Sequence, residues 1–182
     1  MTPNRVAVKL YLADPGGIDP QAVIPIFHDW IRRGAVPGLL VDVADYSHVA
    51  DGPGVLLIGH EADYALDLGE GRPGVLCRWK RGAEQTAADR LAFALEGALR
   101  AADAFEADPG LGGSPRFGRG EALIAVEDRL AAPNDPATLD ALRPALDEAI
   151  ARVLGAPPAG VSHVGEPDGP FAARVLLEPV SR

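Results

Sequence analysis

Apolar runs alternate with turn chemistry along most of the chain, and their spacing switches between the period of a strand and that of a helix. VAVKLYL (6–12) is β-branched and mostly apolar, which predicts an interior strand. ADPGGIDP follows as a turn and ends in Asp19-Pro20, where the aspartate caps a helix and the proline takes its first position. The helix expected over 20–33 gathers Val23, Ile24, Phe27, Trp30 and Ile31 near one face and stops at Gly34. Pro25 falls near its first turn, where a missing N–H costs little.

Residues 39–46 read as a second strand, 55–67 as one long strand bulged at Gly59, and 75–80 as another after the 69–74 loop. A helix over 86–105 carries the stripe Leu91, Leu95, Leu99, Ala102 and Phe105. The glycine-rich stretch 111–120 reads as a linker, and a strand is expected over 122–130. Asn134-Asp135-Pro136 opens a helix with Leu139, Leu142, Leu146, Ile150 and Val153 on one face. Pro144 inside it should kink or split it. Two short strands, 161–164 and 171–177, close the pattern.

The two ends of the chain share a pattern. VAVKLYLADP at Val6 matches IAVEDRLAAP at Ile124, and Asp19-Pro20 matches Asp135-Pro136. SHVADGPGVLLI at Ser47 resembles SHVGEPDGPFAARVLL at Ser162. This points to an internal duplication of a βαββ unit, with halves 6–58 and 124–177. Residues 59–121 would be an inserted strand, helix and linker within one globular domain. The expected class is α+β: a mixed, largely antiparallel sheet with about three helices mainly on one face. At fold level this order resembles GyrI-like ligand-binding folds and glyoxalase-type modules, which implies a small-ligand cleft shared by the two halves.

Composition narrows the function classes. Hydrophobic residues at 47% and charged residues at 24% are ordinary for a soluble domain. A net charge of −9 disfavours nonspecific binding to nucleic acid or anionic membrane, leaving 72–81 as one local basic stretch. Cys77 is the only cysteine, so no disulfide closes within one chain. The start lacks the pattern of a signal peptide and no window is apolar enough to span a bilayer, so a cytoplasmic location is expected.

GHEADY (59–64) has no counterpart in the second half. On a continuous strand, alternation sets His60 and Tyr64 on one face and Glu61 and Asp63 on the other. Clustered carboxylates suit acid/base or metal chemistry; the plainer reading pairs them with Arg78 and Lys80 of the next strand. Asp42, Asp45 and His48 lie one strand earlier, so the binding candidates are Asp42, Asp45, His48, His60, Glu61, Asp63 and Tyr64.

No cofactor is expected. A divalent metal held by His28, His48 and His60 with one carboxylate is the weaker alternative, because no HxH or HExxH spacing joins two ligands. His28, beside Ile24 and Ile31, reads as a core histidine. His48 and His163 read as structural histidines at equivalent corners of the two halves. Ser47, His48 and Asp45 are too close in sequence for a catalytic triad. Arg116 and Arg119 suggest an anion-binding loop only weakly. Trp79 between Arg78 and Lys80 is too slight a motif for nucleic acid.

IPIFHDWI (24–31), DVADYSHV (42–49) and GHEADY (59–64) resemble strings in a family of small bacterial proteins, cyanobacterial ones among them. The resemblance runs through the first strand of the second half. It implies a bacterial, soluble protein and brings no activity with it. The leading expectation is a non-catalytic small-molecule-binding or partner-binding accessory protein, its surface near the 42–67 strands. The rival is a small metal-assisted or acid/base hydrolase using His48, His60, Glu61 and Asp63. A third reading is a structural homo-oligomer subunit joined through a strand edge.

Overall fold

A computed structural model describes residues 3, 5–14, 17–49, 52–82, 85–111 and 115–177. In chain order the elements are β1 (Val6–Leu12), α1 (Pro20–Arg33), β2 (Leu40–Tyr46), β3 (Gly54–Gly59), β4 (Ala62–Asp67) and β5 (Gly74–Trp79). They continue with α2 (Ala87–Glu106), β6 (Phe117–Val126), α3 (Pro136–Leu154), β7 (Gly160–Val164) and β8 (Phe171–Leu176). The strands form one sheet in the order β2-β3-β4-β5-β1-β6-β8-β7, with β2 and β7 at its edges. Every neighbouring pair is antiparallel, so the expected mixed sheet is corrected to a wholly antiparallel one. Each neighbour in the order β2-β3-β4-β5 is also the next strand in sequence, a meander that short turns close without parallel crossovers.

The three described helices cover one face. On β1, Val6, Val8, Leu10 and Leu12 point into the main core with Phe27 and Trp30 of α1, Leu91 and Leu95 of α2, and Leu142 and Leu146 of α3. Ring centroids 5.1 Å apart join Phe27 to Trp30, 4.7 Å join Trp30 to Phe105, and 5.9 Å join Phe105 to Phe117, locking α1 and α2 to β6. The opposite face has a small apolar patch of Ala7, Ala65 and Leu76 among cross-strand ion pairs. No described helix is long and apolar enough to cross a membrane.

Capping explains the helix ends. Asp19 accepts from the Gln21 amide and Gly34 ends α1 at φ 62°, a left-handed conformation that glycine adopts without strain. Thr86 and Asp89 form a reciprocal capping box on α2, and Asp135 accepts from the Thr138 amide on α3. Pro144 does not split α3, which is one helix over 136–154; the residue lies on the exposed side, so its ring meets water.

The 55–67 run is not one strand. It breaks into β3 and β4, with His60 and Glu61 between them. The 122–130 expectation shifts forward to β6, which takes in residues assigned to the linker. Residues 112–114 of that linker and Asp51 of the D-G-P turn lie outside the described residues. The SHV strings occupy different places: His163 lies within β7, whereas His48 is exposed in the turn after β2, so the corners are not equivalent. The pairing also differs, since β8 lies directly beside β6 but β5 and β4 separate β3 from β1.

Candidate functional site

The candidate residues gather along β2 and at the β3–β4 turn, and the register fixes their separation. Leu40 lies opposite Gly59 and Tyr46 opposite Gly54. His60, whose amide donates to the Leu39 carbonyl, is therefore at one end of β2, and His48 is past the other. Six residue steps along a strand span roughly 20 Å. The joint His48/His60 cluster is thereby corrected: no side chain bridges that distance. His28 is exposed on α1 instead of buried. Among the described residues no group of three or more His, Cys, Asp or Glu side chains is placed to hold a metal ion.

At the His48 end, Asp45 is the organising group. Its Oδ1 accepts from the Ser47 hydroxyl at 2.6 Å and the Ser47 amide at 2.9 Å, and its Oδ2 accepts from Gln21 Nε2 at 3.0 Å. The serine hydroxyl, the Gln21 amide and the Ser47 N–H together hold the Asp45 carboxyl down to about 2. Serine thus donates straight to aspartate, with no imidazole between them, which is a turn lock and not a triad.

At the His60 end, non-local contacts hold the turn. Glu61 Oε2 accepts from the Leu39 amide at 3.0 Å, and that bond keeps its carboxyl below the ordinary range. His60 Nδ1 lies 3.3 Å from Glu61 Oε1. Asp63 accepts from the Gly59 amide at 3.2 Å and faces Lys80 Nζ at 2.7 Å. Lys80 Nζ also donates to the Gly59 carbonyl at 2.8 Å, and Arg81 Nε to the His60 carbonyl at 3.0 Å. Glycine is required at 59, where a Cβ would sit 2.2 Å from the Ala62 carbonyl oxygen.

The expected pairing of the acids with the neighbouring strand holds for Asp63 and Lys80. Glu61 instead tethers β2, and Arg78 reaches Glu127 at 2.6 Å. Arg72 pairs with Glu121 at 3.0 Å, so the basic stretch is largely neutralised within the sheet. Trp79 is buried on the helix face under Arg90, unavailable for stacking on a base. Arg119 is tied to Asp103 and Glu106, and Arg116 lies 3.8 Å from Glu106, so neither stands open as an anion site. Asp63 and Tyr64 point to opposite faces. Tyr64 is fully buried against α2, and its hydroxyl donates to the Pro37 carbonyl at 2.7 Å.

No protein-family model and no curated protein matches the chain. What the chain exposes is therefore read from its own surface. Among the described residues, six large hydrophobic side chains are exposed, and four of them, Leu39, Val41, Tyr46 and Val49, lie on β2 or beside it. The register shifts between Leu40 and Asp42, a bulge that turns Val41 out to 61% exposure. A shallow groove runs along α2. Its charges are already paired, Arg152 with Asp89, Arg100 with Glu96 and Asp103 with Arg119.

Leu39, Val41, Tyr46 and Val49 were missed in the sequence because exposure on an edge strand depends on sheet order. One local signal was there: LLVDV breaks the alternation of a half-buried strand, with apolar residues on both parities.

Proposed function

We propose that the protein is a non-catalytic accessory protein that engages a partner through the β2 edge and the adjoining His60–Glu61 turn. The observation that carries this reading is the concentration of exposed apolar side chains along one edge strand. Leu39 and Val41 leave 64% and 61% of their surface in water, and covering each is worth about 1–2 kcal/mol. The candidate polar groups support the same reading: Asp45, Glu61 and Asp63 are engaged in holding backbone. A bacterial, cytoplasmic setting belongs to this proposal and rests on the resembling strings, as does a duplicated origin of the two βαββ units.

The test is a panel of metabolites and random octapeptides screened against the wild type, a Leu39→Ser/Val41→Ser variant and a Leu130→Ser control. Leu130 is 99% exposed and lies far along the chain, so it controls for loss of any apolar surface. Ligands lost in the first variant and kept in the second support the surface; ligands kept equally in both overturn it. The hydrolase reading would draw on His60, Glu61 and Asp63 alone. Metal found by elemental analysis of untagged protein, and lost in His60→Ala, would favour it.

A further inference from the structure

The free side of β2 narrows the partner's chemistry. Val43 on β2 and Ser47, in the turn just past its end, are four residues apart, a spacing that puts their amides on one side of the extended chain. Both are held by neighbouring carboxylates, Val43 by Asp42 Oδ1 at 2.8 Å and Ser47 by Asp45 Oδ1 at 2.9 Å. These oxygens stand in for the carbonyls that an added strand would bring, and an added strand must displace them.

The displaced carboxylates would have no Lys or Arg at hand; the cationic side chain that acts on Asp45 is the His48 imidazole. Among the described residues no Lys or Arg forms an ion pair with Asp42 or Asp45, whereas Asp63 and Asp67 are paired with Lys80 and Lys9. The sequence between Arg33 and Arg72 holds seven acids and neither Lys nor Arg. A second copy of the chain would bring the same uncompensated acids to the seam, which opposes pairing of two β2 edges.

Resting on the reading that β2 is the interaction surface, we infer that the partner is an extended basic peptide segment that adds as a strand to the free edge of β2. Its backbone carbonyls take the Val43 and Ser47 amides, and it carries Lys or Arg on both faces, for Asp42 on the open face and for Asp45 on the helix face, where Asp45 meets Gln21 of α1. Its apolar side chains cover Val41 and Tyr46. The two aspartates act as a filter: they block the edge against self-pairing and admit a strand carrying positive charge.

The probe is a capped octapeptide repeating Arg-Arg-Val-Val, which sets both residue types on each face of an added strand, because Asp42 and Asp45 lie on opposite faces of β2. It is titrated by fluorescence anisotropy at physiological salt beside a glutamate–valine octapeptide and an arginine–proline octapeptide, which has the charge but cannot extend a ladder. The arginine–valine peptide is expected to bind and the other two to fail. Asp42→Asn/Asp45→Asn should weaken binding about tenfold through loss of the charge pairs. Val43→Pro, which removes the edge amide, should abolish it, and Val43→Ala, which keeps that amide, should not.

Thermal denaturation checks each fold; should Val43→Pro fail to fold, the double asparagine variant decides. Equal binding of the arginine–proline peptide, or binding indifferent to the asparagines, overturns the inference. So does a dimer in sedimentation velocity that the Val43→Pro variant, or the Leu39→Ser/Val41→Ser variant in its place, dissolves. If panel ligands depend on Leu39 and Val41 while the arginine–valine peptide does not bind, the surface stands and the basic strand falls. If no ligand depends on them, both fall.

Discussion

Replacing Tyr64 by phenylalanine separates positioning from binding at the most buried of the candidate residues. Tyr64 is fully buried, and burial pushes its phenol well above the usual range, so it stays protonated and remains a donor. Its hydroxyl donates at 2.7 Å to the Pro37 carbonyl, which anchors the connection between α1 and β2 across 27 residues of sequence, and it also hydrogen-bonds the Cys77 thiol. Phenylalanine keeps the ring, so no cavity opens; what is lost is the hydroxyl's bond to the Pro37 carbonyl and its weaker one to the Cys77 thiol. That loss amounts to about 1–2 kcal/mol, or roughly 3–6 °C in Tm for a chain of this size. Tyr64→Ala also empties the ring volume and should cost about 3–5 kcal/mol. Differential scanning calorimetry gives the ranking, and amide exchange at Leu39 and His60 reports the anchor, because both amides bond between the start of β2 and the β3–β4 turn. A Tyr64→Phe protein with unchanged Tm and unchanged exchange at these amides would refute the clamp.

Lys80→Met strips the cation from Asp63, whose side chain is only 13% exposed. It should destabilise by about 2–4 kcal/mol in urea titration, while Asp63→Asn on the same background recovers part of the loss. Gly59→Ala must move the Ala62 or Leu39 backbone and should cost roughly 3 kcal/mol by the same assay, with the damage local to the turn. The Asp45 and Asp89 carboxyls are both held down to about 2, by the Ser47 hydroxyl and the Arg152 guanidinium respectively. Their folded values lie below the unfolded ones, so they stabilise above about pH 4 and lose that contribution as pH falls toward 2. Carboxyl-carbon NMR should place both midpoints near 2, and Asp45→Asn should flatten the acid limb of the stability curve.

How much was legible in the sequence followed from how local each signal is. Asp19-Pro20 with Gly34, and Asp135-Pro136, are local chemistry, and they marked their helix ends correctly. The β3–β4 break was hidden because its turn carries none of the usual residues. Among the described non-glycine residues only Glu70 has positive φ, so His60-Glu61 is not the Asn-Gly type of hairpin turn. Lys80, Arg81 and Leu39, all distant in sequence, hold it in place. What each candidate acid holds depends on sheet order. Asp63 meets Lys80 because β4 lies beside β5, whereas β2 is an edge, and among the described residues neither Asp42 nor Asp45 forms an ion pair with Lys or Arg.

The most direct test of the β2 edge as the interaction surface is a backbone amide shift map of the full chain on titration with the arginine–valine octapeptide. The account expects the perturbations to centre on residues 39–49 and fade through β3, with the Val43 and Ser47 amides moving most. Perturbations centred instead on the groove lined by Gln85, Phe93 and Arg100, or spread across the open sheet face around Leu76, would contradict it.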